Sequence, residues 1–123
     1  MAQKTFTSTD KEIIELLKQI DVDNPLARTL LYLSKVDCCK SIDIERDASL
    51  RQPQVSNAIK HLEERGWIKR TYKKKIGKGR PVHYYHLNKD INEIFTYFQE
   101  KKQKEIDAIQ QVFHDLDIIS SYK

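Results

Sequence analysis

The feature that most restricts the fold is a change of rhythm at Gly66. Before it, from about Gln52, apolar residues recur at helical spacing, with Val55, Ala58, Ile59 and Leu62 lining one face. After it, residues 67–73 (Trp-Ile-Lys-Arg-Thr-Tyr-Lys) are β-prone, residues 76–81 (Ile-Gly-Lys-Gly-Arg-Pro) read as a turn, and residues 82–87 (Val-His-Tyr-Tyr-His-Leu) are β-prone again. Pro53 is tolerated in a first helical turn, and Gly66 suits the left-handed position that closes a helix. A helix that runs straight into a short hairpin predicts a mainly α protein with a small β-hairpin, an α+β chain.

Three more helices are expected upstream. Thr9-Asp10-Lys11-Glu12 matches a capping box and opens a helix to about Ile20, with Ile13, Leu16, Leu17 and Ile20 on its apolar stripe. Residues 1–8 have no periodicity and are expected to be a flexible N-terminus. Asn24 as cap and Pro25 in the first turn start a second helix to about Val36, apolar around much of its circumference through Leu26, Ala27, Leu30, Leu31, Tyr32 and Leu33. Ser41 caps a third helix of about two turns, with Ile42, Ile44 and Ala48 as its candidates for burial, and residues 49–51 make a tight connection to the fourth.

In the hairpin, Ile68, Tyr85 and Leu87 are expected to face the helices. Asn88 or Asp90 then caps a long last helix to about Leu116. Its apolar residues Ile91, Ile94, Phe95 and Phe98 are separated by the polar run 99–105 from Ile106, Ile109, Phe113 and Leu116. The first group suits a lid on the helical body. The second needs a different partner: the same segment, or the first helix, of another subunit. The expected division is a flexible 1–8, a helix-and-hairpin domain at 9–88 with its leading helix, and a dimerisation helix and tail at 89–123.

Helix, short helix, tight turn, helix and hairpin, in that order, make the winged helix-turn-helix plan. The run Ser41-Ile-Asp-Ile-Glu-Arg-Asp-Ala-Ser-Leu-Arg-Gln-Pro-Gln-Val-Ser-Asn-Ala-Ile-Lys-His-Leu-Glu-Glu-Arg-Gly66-Trp-Ile resembles the DNA-reading core of the superfamily of MarR-like, ArsR-like and TrmB-like transcription regulators. Gly77-Lys-Gly-Arg-Pro-Val-His-Tyr-Tyr85 resembles their wing, and the likeness covers roughly residues 25–88. It implies a winged helix-turn-helix with N- and C-terminal dimerisation helices, binding double-stranded DNA as a homodimer.

Charge points the same way. The net charge of +4 over 123 residues is unremarkable, but residues 51–80 hold ten Lys or Arg against only Glu63 and Glu64. The rest of the chain is acidic. With the apolar face of the fourth helix turned inward, Gln54, Ser56, Asn57, Lys60 and His61 are left outside. Gln54 and Asn57 suit adenine edges in a major groove, and Lys60 suits guanine or phosphate. The backbone amides near Arg51 and Gln52 suit a phosphate. Lys73, Lys74, Lys75, Lys78 and Arg80 surround the wing glycines, with Arg80 the minor-groove candidate. Two other readings share these features: a winged-helix module that binds an acidic protein, and a DNA-architectural protein with little sequence preference.

Other functions find little support. Cys38 and Cys39 are adjacent, a poor match to an ordinary structural disulfide, and no paired ligand spacing for zinc accompanies them. His83 and His86 are three apart on a predicted strand and so face opposite ways. No nucleophilic triad, phosphate loop or convincing carboxylate pair is present. No enzyme activity, metal or cofactor is expected, and no residue identifies a small-molecule effector. With no membrane-length apolar run and no apolar leader, a cytoplasmic protein is expected.

Overall fold

The computed structural model describes residues 6–73 and 82–122. Five helices and one hairpin follow in the order α1 (Ser8–Gln19), α2 (Asn24–Lys35), α3 (Ser41–Asp47), α4 (Gln52–Glu64), β1 (Ile68–Lys73), β2 (Val82–Leu87) and α5 (Ile91–Ser120). This is the mainly α, winged architecture the sequence predicts. α2 sits at the centre, packed against α1, α3, α4, α5 and β2. Leu30, Leu33, Ile44, Val55, Leu62 and Ile94 are its fully buried apolar neighbours and members, which explains why α2 is apolar on several sides.

Several boundaries differ from the sequence reading, each for a local reason. α1 begins earlier because Thr7, not Thr9, is the cap: the Asp10 amide donates to Thr7 Oγ1 at 3.1 Å and the Thr7 amide to Asp10 Oδ2 at 2.9 Å. Phe6, placed in the flexible leader by its lack of periodicity, is only 7% exposed and lies under the Arg28 guanidinium. Asp23 rather than Asn24 caps α2, and Lys40 rather than Ser41 caps α3, where its amide donates to Asp43 Oδ2 at 3.0 Å. Ile42 is 55% and Leu16 61% exposed, so neither joins the core of this chain. α5 continues four residues past Leu116.

The turns are built by backbone geometry. α4 ends in a Schellman arrangement, with the Gly66 amide bonded to Glu63 O and the Trp67 amide to Leu62 O, and Gly66 at φ +74°. Ser49 takes φ +55° in the α3–α4 connection, which lets Leu50 turn inward.

The hairpin is antiparallel, with Ile68 opposite Leu87, Arg70 opposite Tyr85 and Tyr72 opposite His83. Ile68 and Tyr85 are buried and Leu87 packs on the core, as expected. A third short piece of sheet was not expected: Cys39 forms an isolated bridge to Tyr85, with both backbone hydrogen bonds made at 3.0 and 2.7 Å. Cys39 is therefore a buried sheet-edge residue, and burial pushes its thiol up to about 12, whereas Cys38 is exposed.

Candidate nucleic-acid interface

α4 is held by its own apolar stripe. Val55, Ala58, Ile59 and Leu62 are buried against α2 and α3, and every fourth-helix residue named as a DNA contact is exposed: Gln52, Gln54, Ser56, Asn57, Lys60 and His61, with Arg51 at the cap. With about 100° per residue, these side chains fall into three strips. Pro53, Asn57 and Lys60 lie opposite the core and form the outermost ridge. Gln52 and Ser56 lean to one side, with Glu63. Gln54, His61 and Arg65 lean to the other, where with Asn57 they line a cleft of about 470 Å³ bounded by the α1–α2 turn and by α5 at Phe98, Lys101 and Lys102.

The strips differ in what their polar atoms already do. Gln54 Oε1 accepts from the Arg51 amide at 2.8 Å, completing the N-terminal cap, and Gln52 Nε2 donates to Ser56 Oγ at 2.7 Å. A two-point contact from Gln54 to an adenine edge would have to share or release that cap. Asn57, Lys60 and His61 make no hydrogen bond or ion pair among the described residues. The residues best placed to read a partner are thus Asn57 and Lys60 on the ridge.

The hairpin is locked to α4 by a pair the sequence reading did not single out. Arg70 on β1 donates to both Glu63 carboxylate oxygens, at 2.6 and 3.0 Å, and reaches His83 Nδ1 at 3.3 Å. Its guanidinium lies 5.4 Å from the centre of the Tyr85 ring. The Glu63 hydrogen bond, partly opposed by desolvation, raises the Arg70 pKa further above its usual range. Arg70 therefore stays charged but is already spoken for.

Arg65 is also committed. It donates to the Tyr97 hydroxyl at 2.7 Å and lies 5.2 Å from the centres of the Trp67 and Tyr97 rings, tying the end of α4 to α5. Of the basic run, Arg51, Lys60 and Lys69 remain exposed and unpaired among the described residues. Lys73 closes β1, and Lys74, Lys75, Lys78 and Arg80 lie outside the described residues.

The expected dimer residues Ile106, Ile109, Phe113 and Leu116 are all exposed, and Val112 and Ile119 extend the same apolar surface, whereas Ile118, also exposed, lies on the opposite side of the helix. Val112 and Ile119 were legible in principle, since 109, 112, 116 and 119 continue the three-and-four spacing. No described cluster of three or more His, Cys, Asp or Glu suits a metal ion. No described helix is long and apolar enough to cross a membrane.

α3, the turn at Ser49, α4 and the hairpin behind it define a winged helix-turn-helix. Residues 22–75 match the model of the MarR family. Among solved structures, the fold is similar to that of a possible transcriptional regulator from Methanosarcina mazei Go1, at TM-score 0.62 and 16% identity over 85% of this chain and 86% of that one. It is also similar to MepR, a transcription regulator of the Staphylococcus aureus multidrug efflux pump MepA, at TM-score 0.51 and 21% identity over 96% and 100%. A third likeness is to TrmBL2, an archaeal chromatin protein, at TM-score 0.53 and 16% identity over 88% of this chain and 40% of that one. No curated protein sequence matches.

Proposed function

We propose that the protein is a sequence-specific transcription regulator that binds double-stranded DNA as a homodimer in the cytoplasm, without enzymatic activity. α4 enters the major groove, and the basic wing lies on the minor groove or the backbone. The observation that carries this reading is the ridge of Asn57 and Lys60. It projects from a firmly docked helix, has no partner within the chain among the described residues, and lies in the segment that matches the MarR family model.

Asn57 suits a two-point contact to adenine, Lys60 a guanine or phosphate, and Arg51 and Lys69 nearby phosphates. Lys73, Lys74, Lys75, Lys78 and Arg80 add the wing's charge. Dimerisation through the apolar stripe of α5 presents two reading helices to half-sites about one turn, roughly 34 Å, apart.

Fluorescence-anisotropy titration against duplexes recovered by in-vitro selection tests the proposal. The expected result is a preferred sequence of two related half-sites, bound with an affinity that falls steeply with salt. Folded protein without affinity for any duplex overturns it. One observation favours the architectural alternative: Gln54 and Ser56 are engaged within α4, which leaves few side chains free to read bases. Equal affinity for unrelated duplexes would decide for that reading.

A further inference from the structure

The face of the hairpin that packs on the helices runs on past the core. Strand alternation puts Ile68, Arg70 and Tyr72 on one side of β1, and their register partners Leu87, Tyr85 and His83 share it. Ile68 and Tyr85 are buried, Leu87 packs on the core, and Arg70 is held by Glu63 of α4. Tyr72 and His83 come next toward the tip, with Tyr72 63% exposed and His83 half-buried. Their rings meet edge to face with centres 4.7 Å apart, so each fixes the other.

The polar atoms of this pair are oriented too. A guanidinium has donors only, so the 3.3 Å contact from Arg70 Nη1 makes His83 Nδ1 an acceptor and puts the proton of the neutral ring on Nε2. Two hydrogen bonds to Glu63 keep Arg70 in that place. The Nε2–H and the Tyr72 hydroxyl have no partner among the described residues, which leaves two uncharged donors together at the exposed end of the face.

This face borders α4. Glu63 marks the hairpin side of that helix, and Lys60 stands about 60° round from it toward the outermost ridge. Arg70 cancels the charge of Glu63, and Glu64 lies farther round, so the flank beside the hairpin keeps the positive charge of Lys60. With α4 in a major groove and the wing over the neighbouring minor groove, the sugar-phosphate strand that separates the two grooves has to run along this flank.

We infer that Tyr72 and His83 form a seat for that strand: the Tyr72 hydroxyl and the His83 Nε2–H donate to one backbone phosphate, and the Tyr72 ring lies against the adjoining sugar. The inference rests on the DNA-binding reading above and adds two uncharged donors to backbone contacts otherwise made by Lys and Arg. An uncharged donor releases no counterion, so the seat adds affinity without adding salt dependence.

Fluorescence-anisotropy titration of the full chain on its preferred duplex, over a range of salt, tests this with Tyr72→Phe, His83→Asn and the control Thr71→Ala, an exposed residue on the other side of β1. Asn offers an acceptor to Arg70 but no donor where Nε2 stood, so it keeps the link to α4 and removes only the outward hydrogen bond. Circular dichroism should show all three folded like the parent. The expected result is a dissociation constant raised about 10-fold by Tyr72→Phe and by His83→Asn at unchanged salt slope, with no change for Thr71→Ala. Ethylation interference should lose one phosphate per half-site with either variant, and long-range ¹⁵N NMR of the free protein should show His83 protonated at Nε2. Unchanged affinity in both variants, a loss that comes with a shallower salt slope, or a ring protonated at Nδ1 overturns the seat and leaves the DNA reading standing. A parent chain that binds no duplex overturns both.

Discussion

α4 and the distal half of α5 are both amphipathic helices with one face in water, and the face left over is opposite in character. α4 satisfies its apolar stripe within the chain, through Val55, Ala58, Ile59 and Leu62, and presents Asn57, Lys60 and His61 outward. Among the described residues nothing of its own chain lies beneath distal α5, and Ile109, Phe113 and Leu116 remain in solvent. What an element shows to solvent is what it has left to offer: a polar surface with free donors for a polar ligand, and an apolar stripe for an apolar one. The same physical rule thus separates the proposed reading surface from the proposed assembly surface on one small chain.

The contrast can be broken at several points. Leu62→Ala removes a fully buried anchor of α4 and should cost about 2–5 kcal/mol in urea unfolding; a loss well below 1 kcal/mol would mean that α4 is not docked as described. Replacing Phe113 and Leu116 together with Ser should leave the single-chain fold intact. It should also abolish the rise of melting temperature with protein concentration that an obligate dimer shows. That combination, folded but no longer concentration-dependent, sharpens the difference between the two helices, since no α4 core variant can produce it.

Smaller effects probe the polar surfaces. Asn57→Ala should lose about 1–3 kcal/mol on the preferred duplex and relax the preference at one base position. Lys60→Ala, if the contact is to phosphate, should weaken all duplexes alike and reduce the salt slope by about 0.9. The smallest change concerns the cap of α1. Burial favours the neutral form of Asp10, but hydrogen bonds from Lys35 and Thr7 outweigh it and hold the carboxyl below its usual range. A depressed folded-state pKa stabilises the fold above the unfolded value and loses that contribution as pH falls through the folded one. Asp10→Asn should therefore cost about 1 kcal/mol or less near neutral pH, and the difference from the parent should shrink as pH falls through the depressed folded-state pKa.

Much of this was legible because it depends on local spacing. The burial of Val55, Ala58, Ile59 and Leu62, the stop at Gly66, the facing of Ile68 and Tyr85 and the capping of α5 by Asp90 all follow from periodicity and turn chemistry. The exposed strip of α4 was legible for the same reason. What was missed depends on partners distant in the chain. Phe6 is buried because Arg28 and the core lie across from it, and periodicity cannot register a single apolar residue before a helix. Leu16 fits the α1 stripe by spacing yet faces a groove that this chain leaves open. Arg70 counted as one more base in a basic segment until Glu63, seven residues away, was found to accept both its hydrogen bonds.

The sequence by itself therefore determined the elements and their inward faces, since helical and strand periods alone decide which side chains share a side. It also determined where positive charge concentrates. Only the tertiary structure decided which of those charges remain available, because hydrogen bonding and stacking consume Arg70 and Arg65 through neighbours that only folding brings close. It also decided that the apolar stripe of α5 runs past the end of its own core, since burial depends on what lies opposite a face and not on the face itself.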